Sequence, residues 1–139
     1  MVKRYFPIPG VPGAGYRVTK NALILKVGFF MYRLGVKELA LLALLRMVAG
    51  TEEIAVRDPL MIAQVENMYE YRERVRRLHK KGLIELTRHQ DGAYMRLTKL
   101  GWLLINTIAP NYYDVDLEAL RKQQLAQEKI QSVKEVKVG

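Results

Sequence analysis

Cationic side chains three and four residues apart define the chemistry this chain can offer. Between Asn67 and Gly82 stand Tyr69, Arg72, Glu73, Arg76, Arg77 and Lys80. At that spacing, on a helix, they share or flank one exposed face. A guanidinium pairs bidentately with guanine, and a glutamate accepts from cytosine N4. A second group follows at Arg88, His89, Gln90 and Arg96, suited to phosphate or minor-groove contact. A plainer reading stands beside each. The first group is also a solvated basic face with Glu70–Arg74 and Glu73–Arg77 pairs at i+4, Arg74 being the most structural of its arginines. Lys80 and Lys81 also suit the negative end of a helix dipole, and the second group also describes a polar turn.

Catalytic constellations are missing from the sequence. Ser132 is its only serine, and there is no cysteine. His79 and His89 lack a metal-ligand spacing such as His-Glu-x-x-His. Gly10, Gly13 and Gly15 stand among prolines, not after a strand, and Glu52-Glu53 falls on an expected loop. The expectation is no enzymatic activity, no cofactor and no metal.

The elements that position these groups are read from periodicity and punctuation. Residues 1–20, rich in Pro and Gly, are expected to form an irregular arm that reaches toward a DNA groove, a strap packed on the domain or a disordered tail. Leu23 to Leu34 reads as helix or strand; its length and the capping potential of Asn21 favour helix, and Gly28 opposes it. Val36 to Val48, apolar on most faces, is expected to be a buried central helix ended by Gly50. Ile54-Ala55-Val56 is a short strand able to join a later hairpin. Asp58-Pro59 opens a short helix with Leu60, Ile62 and Ala63 inward. Asn67 caps a helix over 68–81 that buries Tyr71, Val75 and Leu78. Alternating runs over 84–98 turn on Gln90-Asp91-Gly92, the mark of a hairpin. Thr98 caps a helix over 99–108, stopped by Pro110. Beyond Asp114 or Asp116, Leu117, Leu120, Leu125, Ile130 and Val133 make a poor heptad, read as a helix that pairs with a second subunit or as a frayed tail.

Taken in order, these segments resemble winged helix-turn-helix regulators of the MarR, PadR and TrmB types. The ending Leu78-His79-Lys80-Lys81-Gly82-Leu83-Ile84-Glu85 is similar to the close of the family's recognition helix. Leu97-Thr98-Lys99-Leu100-Gly101 is similar to its strand exit, Leu-Thr-x-x-Gly. Arg33 to Leu42 looks like the entry to its first core helix, so the resemblance covers residues 33–108. The chain departs from it at Thr51-Glu52-Glu53 and at Glu66-Asn67-Met68, where acidic groups stand near expected phosphates. The resemblance implies a mostly α chain with one small β-hairpin, a winged helix-turn-helix with flanking helical extensions. With the segments on either side, the expected division is a Pro/Gly-rich arm over 1–20, a winged domain over 21–110 and a C-terminal helical tail over 111–139.

Composition agrees with a polyanionic partner. The 139 residues carry a formal net charge of +9 and a pI near 9.9, which favours nucleic acid first and an acidic membrane surface second. No apolar stretch reaches the ~20 clean residues of a membrane span, and Met1 to Pro7 lacks the apolar run of a signal peptide. The expected protein binds double-stranded DNA as a homodimeric transcriptional regulator, is cytoplasmic or nucleoid-associated, and makes no membrane contact. It reads the major groove with helix 68–81 and the backbone or minor groove with the 84–98 wing. Its dimer contacts are placed in Leu23–Tyr32 and Leu117–Val133. The alternatives are a winged-helix protein–protein module and a plasmid or viral replication or partition factor.

Overall fold

The computed structural model describes residues 4–109 and 116–138. Pro110 as a helix stop, Asp114 as a helix start and the Val133 side chain lie outside the described residues.

The N-terminal quarter is a sheet. Strands β1 (Phe6–Pro7), β2 (Ala14–Val18), β3 (Ala22–Val27) and β4 (Phe30–Gly35) form an antiparallel meander in that order. This overturns the expectation of a mostly helical chain with one small hairpin and helical extensions. It also replaces the irregular arm and the helix over Leu23–Leu34. The reason is visible in the register. Leu23, Leu25 and Val27 face the core with period two, opposite Leu34, Tyr32 and Phe30. Ile24 and Lys26 point to the other face. Gly28 turns the chain at φ 58°, the left-handed first position of a two-residue hairpin turn. The same glycine would weaken a helix, and the strand outcome absorbs it.

Helix α1 (Val36–Ala49) follows and buries Leu39, Leu42 and Leu45 fully. It ends at Gly50, whose N–H donates to the Arg46 carbonyl at 2.9 Å. Strand β5 (Ile54–Ala55) leads to α2 (Pro59–Ile62), where Asp58 Oδ1 accepts from the Leu60 N–H. The inward residue of this turn is Met61; Leu60 and Ala63 are exposed, contrary to expectation, and Ile62 is half-buried. Helix α3 (Met68–Lys80) starts where Asn67 Oδ1 accepts from the Glu70 N–H, and its buried stripe is Tyr71, Val75 and Leu78. Strands β6 (Ile84–His89) and β7 (Gly92–Leu97) form the hairpin, and β5 pairs with β7 to complete a second sheet in the order β5-β7-β6.

Helix α4 (Lys99–Ile108) explains the Leu-Thr-x-x-Gly pattern physically. Thr98 Oγ1 accepts from the Gly101 N–H at 3.1 Å and donates to the Gly82 carbonyl at 2.6 Å. A β-carbon at Gly101 would collide with the Leu83 carbonyl oxygen, so only glycine lets α4 lie this close to the chain leaving α3. One core joins both sheets to α1, α3 and α4.

Helix α5 (Leu117–Val138) packs on its own chain. Asp116 Oδ1 accepts from the Ala119 N–H, Leu117 is buried, and Gln124 Oε1 accepts from the Val18 N–H at 2.8 Å. Strand β1 pairs with β2 only at Tyr16 and Gly15. Gln124 therefore satisfies a backbone donor farther along β2, on the edge that β1 leaves uncovered.

Candidate nucleic-acid interface

Buried anchors hold one side of α3 to the domain and leave the other to solvent. Tyr71, Val75 and Leu78 are the anchors. The Tyr71 hydroxyl also donates to the Val56 carbonyl at 2.6 Å. Burial, reinforced by the nearby Asp58 carboxylate, pushes this phenol up to about 12, so it remains a donor throughout the neutral range. The Val56 N–H donates in turn to the Ala93 carbonyl at 2.9 Å. Val56 is thus fixed from α3 and from β7 at once, and the next residue, Arg57, is delivered between them.

The product is an open groove of about 500 Å³ between α3 and the β6–β7 hairpin. Arg72 and Arg76 of α3, Arg88 of β6 and Arg57 of the β5–α2 link line it, with Asp91 at the hairpin turn. Its floor is apolar, from Val56, Val75 and Leu86. Both carboxylates nearby are already engaged. Glu73 pairs with Arg76 one helical turn on, and Asp91 accepts from the Tyr94 hydroxyl at 2.6 Å. That hydrogen bond, more than burial or the charges of Asp91 and Glu53, raises the Tyr94 phenol. Arg57, Arg72 and Arg88 hold no ion pair among the described residues.

The remaining sequence-derived candidates divide by face. Tyr69, 71% exposed, stands on the first turn of α3 on the same side as Arg72 and Arg76. Lys80 is exposed at the end of that stripe, and Gln90 is exposed in the hairpin turn. Arg77 leans away: its Nε is 3.6 Å from Glu38 Oε1. Lys81 Nζ reaches Glu38 Oε2 and the Arg33 carbonyl, each at 2.7 Å. The i+4 pairs expected for Glu70–Arg74 and Glu73–Arg77 are replaced by Glu73–Arg76 and Glu38–Arg77. On the hairpin, strand alternation separates Arg88 from the others. Ile84, Leu86 and Arg88 share the face toward α3, and Glu85, Thr87 and His89 the opposite one. Arg96 lies directly across from Glu85 and bonds it at 3.0 Å. His89 Nε2 lies 2.8 Å from Glu53 Oε1, and its ring meets Tyr94 edge-on at 4.6 Å. Arg96 and His89 are therefore outside the groove.

Arg57 was not among the residues singled out by sequence reasoning. Its only local signal is its place between a short strand and a helix cap, and nothing in that spacing says it will meet Arg88. Among the described residues, no group of three or more His, Asp or Glu could hold a metal ion. No helix there is long and apolar enough to cross a membrane. No protein-family model matches the chain, and no curated protein matches it in sequence.

Proposed function

We propose that residues 36–108 bind double-stranded DNA as a winged-helix unit, and that the protein acts as a homodimeric transcriptional regulator. One observation carries this reading: four arginines from three elements converge on a single groove beside an exposed helix. Convergence from α3, β6 and the β5–α2 link is not the outcome expected of a basic face that merely keeps a surface solvated. In this arrangement Tyr69, Arg72 and Arg76 approach base edges in the major groove, while Arg57 and Arg88 take phosphates on its flank. The element order, helix–strand–helix–helix–hairpin, agrees with the resemblance in the sequence.

The test is a salt titration of duplex binding by the full chain. Each phosphate neutralised by a cation contributes a slope of ~0.9 in log affinity against log salt. With Arg57, Arg88 and flanking lysines engaged, a slope of about −3 or steeper is expected. An affinity indifferent to salt would end this reading.

A protein–protein module has one observation in its favour. An apolar depression of about 480 Å³ lies between α1, α2 and α3, lined by Leu41, Leu44, Met47 and Leu60 among others. A replication or partition factor would use the same DNA chemistry as the regulator.

A further inference from the structure

The outer face of the N-terminal sheet carries charge that the groove does not use. Before Glu38 the chain has seven lysines and arginines and no aspartate or glutamate, so this stretch contributes +7 of the net +9. The sheet gathers part of that charge on one side. Tyr16, Leu25 and Tyr32 mark the core face; one residue on, Arg17, Lys26 and Arg33 alternate to the other. Arg17 and Arg33 flank Ile24 across three strands, and Lys26 stands beside Met31 in the next row. Lys26, Met31 and Arg33 are exposed.

Tyr5 lies across the same face. Its ring centroid is 5.4 Å from Lys26 Nζ and 5.7 Å from the Arg17 guanidinium carbon. Its hydroxyl reaches Met31 Sδ at 4.0 Å. The ring thus holds two cations over the sheet without neutralising either, since a cation–π contact supplies no counter-charge. Among the described residues, α5 meets the sheet beside Phe6 and Tyr16, which belong to the core face. One contact links the sheet to the end of α3: Lys81 Nζ bonds the Arg33 carbonyl and the Glu38 carboxylate.

We infer that this sheet face is a second nucleic-acid contact, binding the phosphate backbone without regard to sequence. Lys26 and Arg33 on the face, with Lys20 exposed in the β2–β3 turn at its end, are its working cations, and Tyr5 fixes Lys26 in place. Strands β1 to β4 contain cations and no aspartate or glutamate, and a sheet face of that composition selects a polyanion by charge complementarity. The groove arginines Arg57, Arg72 and Arg88 give the same molecule another cationic surface, and a long polyanion can engage both, which favours nucleic acid over a lipid surface. The inference extends the DNA-binding reading but does not need α3 to read bases.

The experiment compares the full chain with the triple variant Lys20→Gln, Lys26→Gln, Arg33→Gln. Anisotropy is measured on a 30-base-pair duplex of random sequence from low to high salt, with the Arg72→Ala, Arg76→Ala variant in parallel. The triple variant is expected to bind at least tenfold more weakly at low salt, with a salt slope shallower by about 2 to 3, near 0.9 for each phosphate no longer neutralised. Its base preference should be unchanged. If the triple variant keeps both the parental affinity and slope, the second contact is wrong, whatever the α3 variant does. If the α3 variant alone behaves like the parent, only the groove assignment fails. Vesicles of phosphatidylserine and phosphatidylcholine supply the other arm: loss of vesicle binding with duplex binding intact overturns the inference in favour of a membrane surface. Should the triple variant melt below the parent, Lys26→Gln alone is read the same way, with an expected slope change of about 1.

Discussion

Arg72 and Arg76 stand one helical turn apart on the solvent side of α3, yet they are not equivalent. Arg76 is held by Glu73, whereas Arg72 has no carboxylate partner among the described residues. Arg72→Ala is therefore expected to cost specific binding ~1–3 kcal/mol, with relaxed preference at one base pair. Arg76→Ala is expected to cost less, because its pair with Glu73 must open before it can reach a base. Arg57→Ala should weaken specific and random duplexes by similar factors, as a phosphate contact does. Competition footprints and melts on the three variants check this; parental affinity in all of them, with parental melts, would remove the groove from the mechanism. Tyr71 belongs to the same scale through its bond to Val56. Tyr71→Phe leaves a buried carbonyl without its donor and is expected to destabilise the fold by ~1–2 kcal/mol. The phenol's pKa rises on folding, from 10.0 to about 12. Its stabilising contribution is thus complete below pH 10 and lost as pH climbs through 12. The parent should lose stability across that alkaline window faster than Tyr71→Phe does. Parallel pH-melting curves for the two would show that the buried phenol does not titrate as argued.

At the scale of elements, the hairpin has two faces with opposite duties. Arg88 is turned toward α3, and Arg96 is spent on Glu85 across the strand pair. The expected outcome is asymmetric: Arg88→Ala lowers affinity for random duplex severalfold, and Arg96→Ala leaves it within about twofold, an exposed cross-strand pair being worth only ~0.2–1 kcal/mol. Equal losses in both variants, measured by anisotropy, would mean that the nucleic acid wraps both faces of the hairpin. His89 is placed like Arg96. Its contact with Glu53 ties the hairpin tip to the segment after α1, which positions the tip more than it offers a free cation. The closeness of α4 to α3 rests on Gly101 under the Leu83 carbonyl. The hairpin that leaves Leu83 and returns at Leu97 is anchored at that point by Thr98, which links Gly82 and Gly101.

The whole molecule raises the question of assembly. A single groove offers few base contacts, and a two-fold pair doubles them on a palindromic site. Many of the apolar residues assigned to a dimer surface are consumed within one chain, since Leu23, Leu25 and Leu117 are buried there. What stays outside lies at the β3–β4 turn, where Phe29 is fully exposed and Phe30 and Met31 are 66% and 59% exposed, and on α5, where Leu125 and Ile130 are 53% and 58% exposed. The proposed homodimer would form at this turn and on the outward side of α5. Phe29→Ser with Phe30→Ser is expected to halve the sedimenting mass at micromolar concentration without lowering the melt. A parent that already sediments as a monomer disposes of the homodimer and with it the palindromic site.

The sequence by itself determined the elements whose signals are local. Asp58, Asn67 and Thr98 cap the helices they were expected to cap, because a side-chain oxygen within three residues of an orphan N–H needs no tertiary help. The stripe of Tyr71, Val75 and Leu78 and the Asp91-Gly92 hairpin were legible for the same reason; the pairing of β5 with β7 was expected too, although it joins residues as distant as Ile54 and Met95. The N-terminal sheet was not. Short apolar runs carry the period of a strand and the composition of a buried helix equally well, and which one wins depends on partners: β2 and β4 had to be present for β3 to pair. Prolines and glycines over residues 7–15 read as an irregular arm because turn chemistry is local, while the strands around it are stabilised by contacts far along the chain, including Gln124 on Val18. The groove shows the same division. The cations of α3 could be grouped by helical spacing, whereas the meeting of Arg57 with Arg88, and the turning of Arg96 and His89 to the far side, were decided only when strand register fixed the faces of the hairpin.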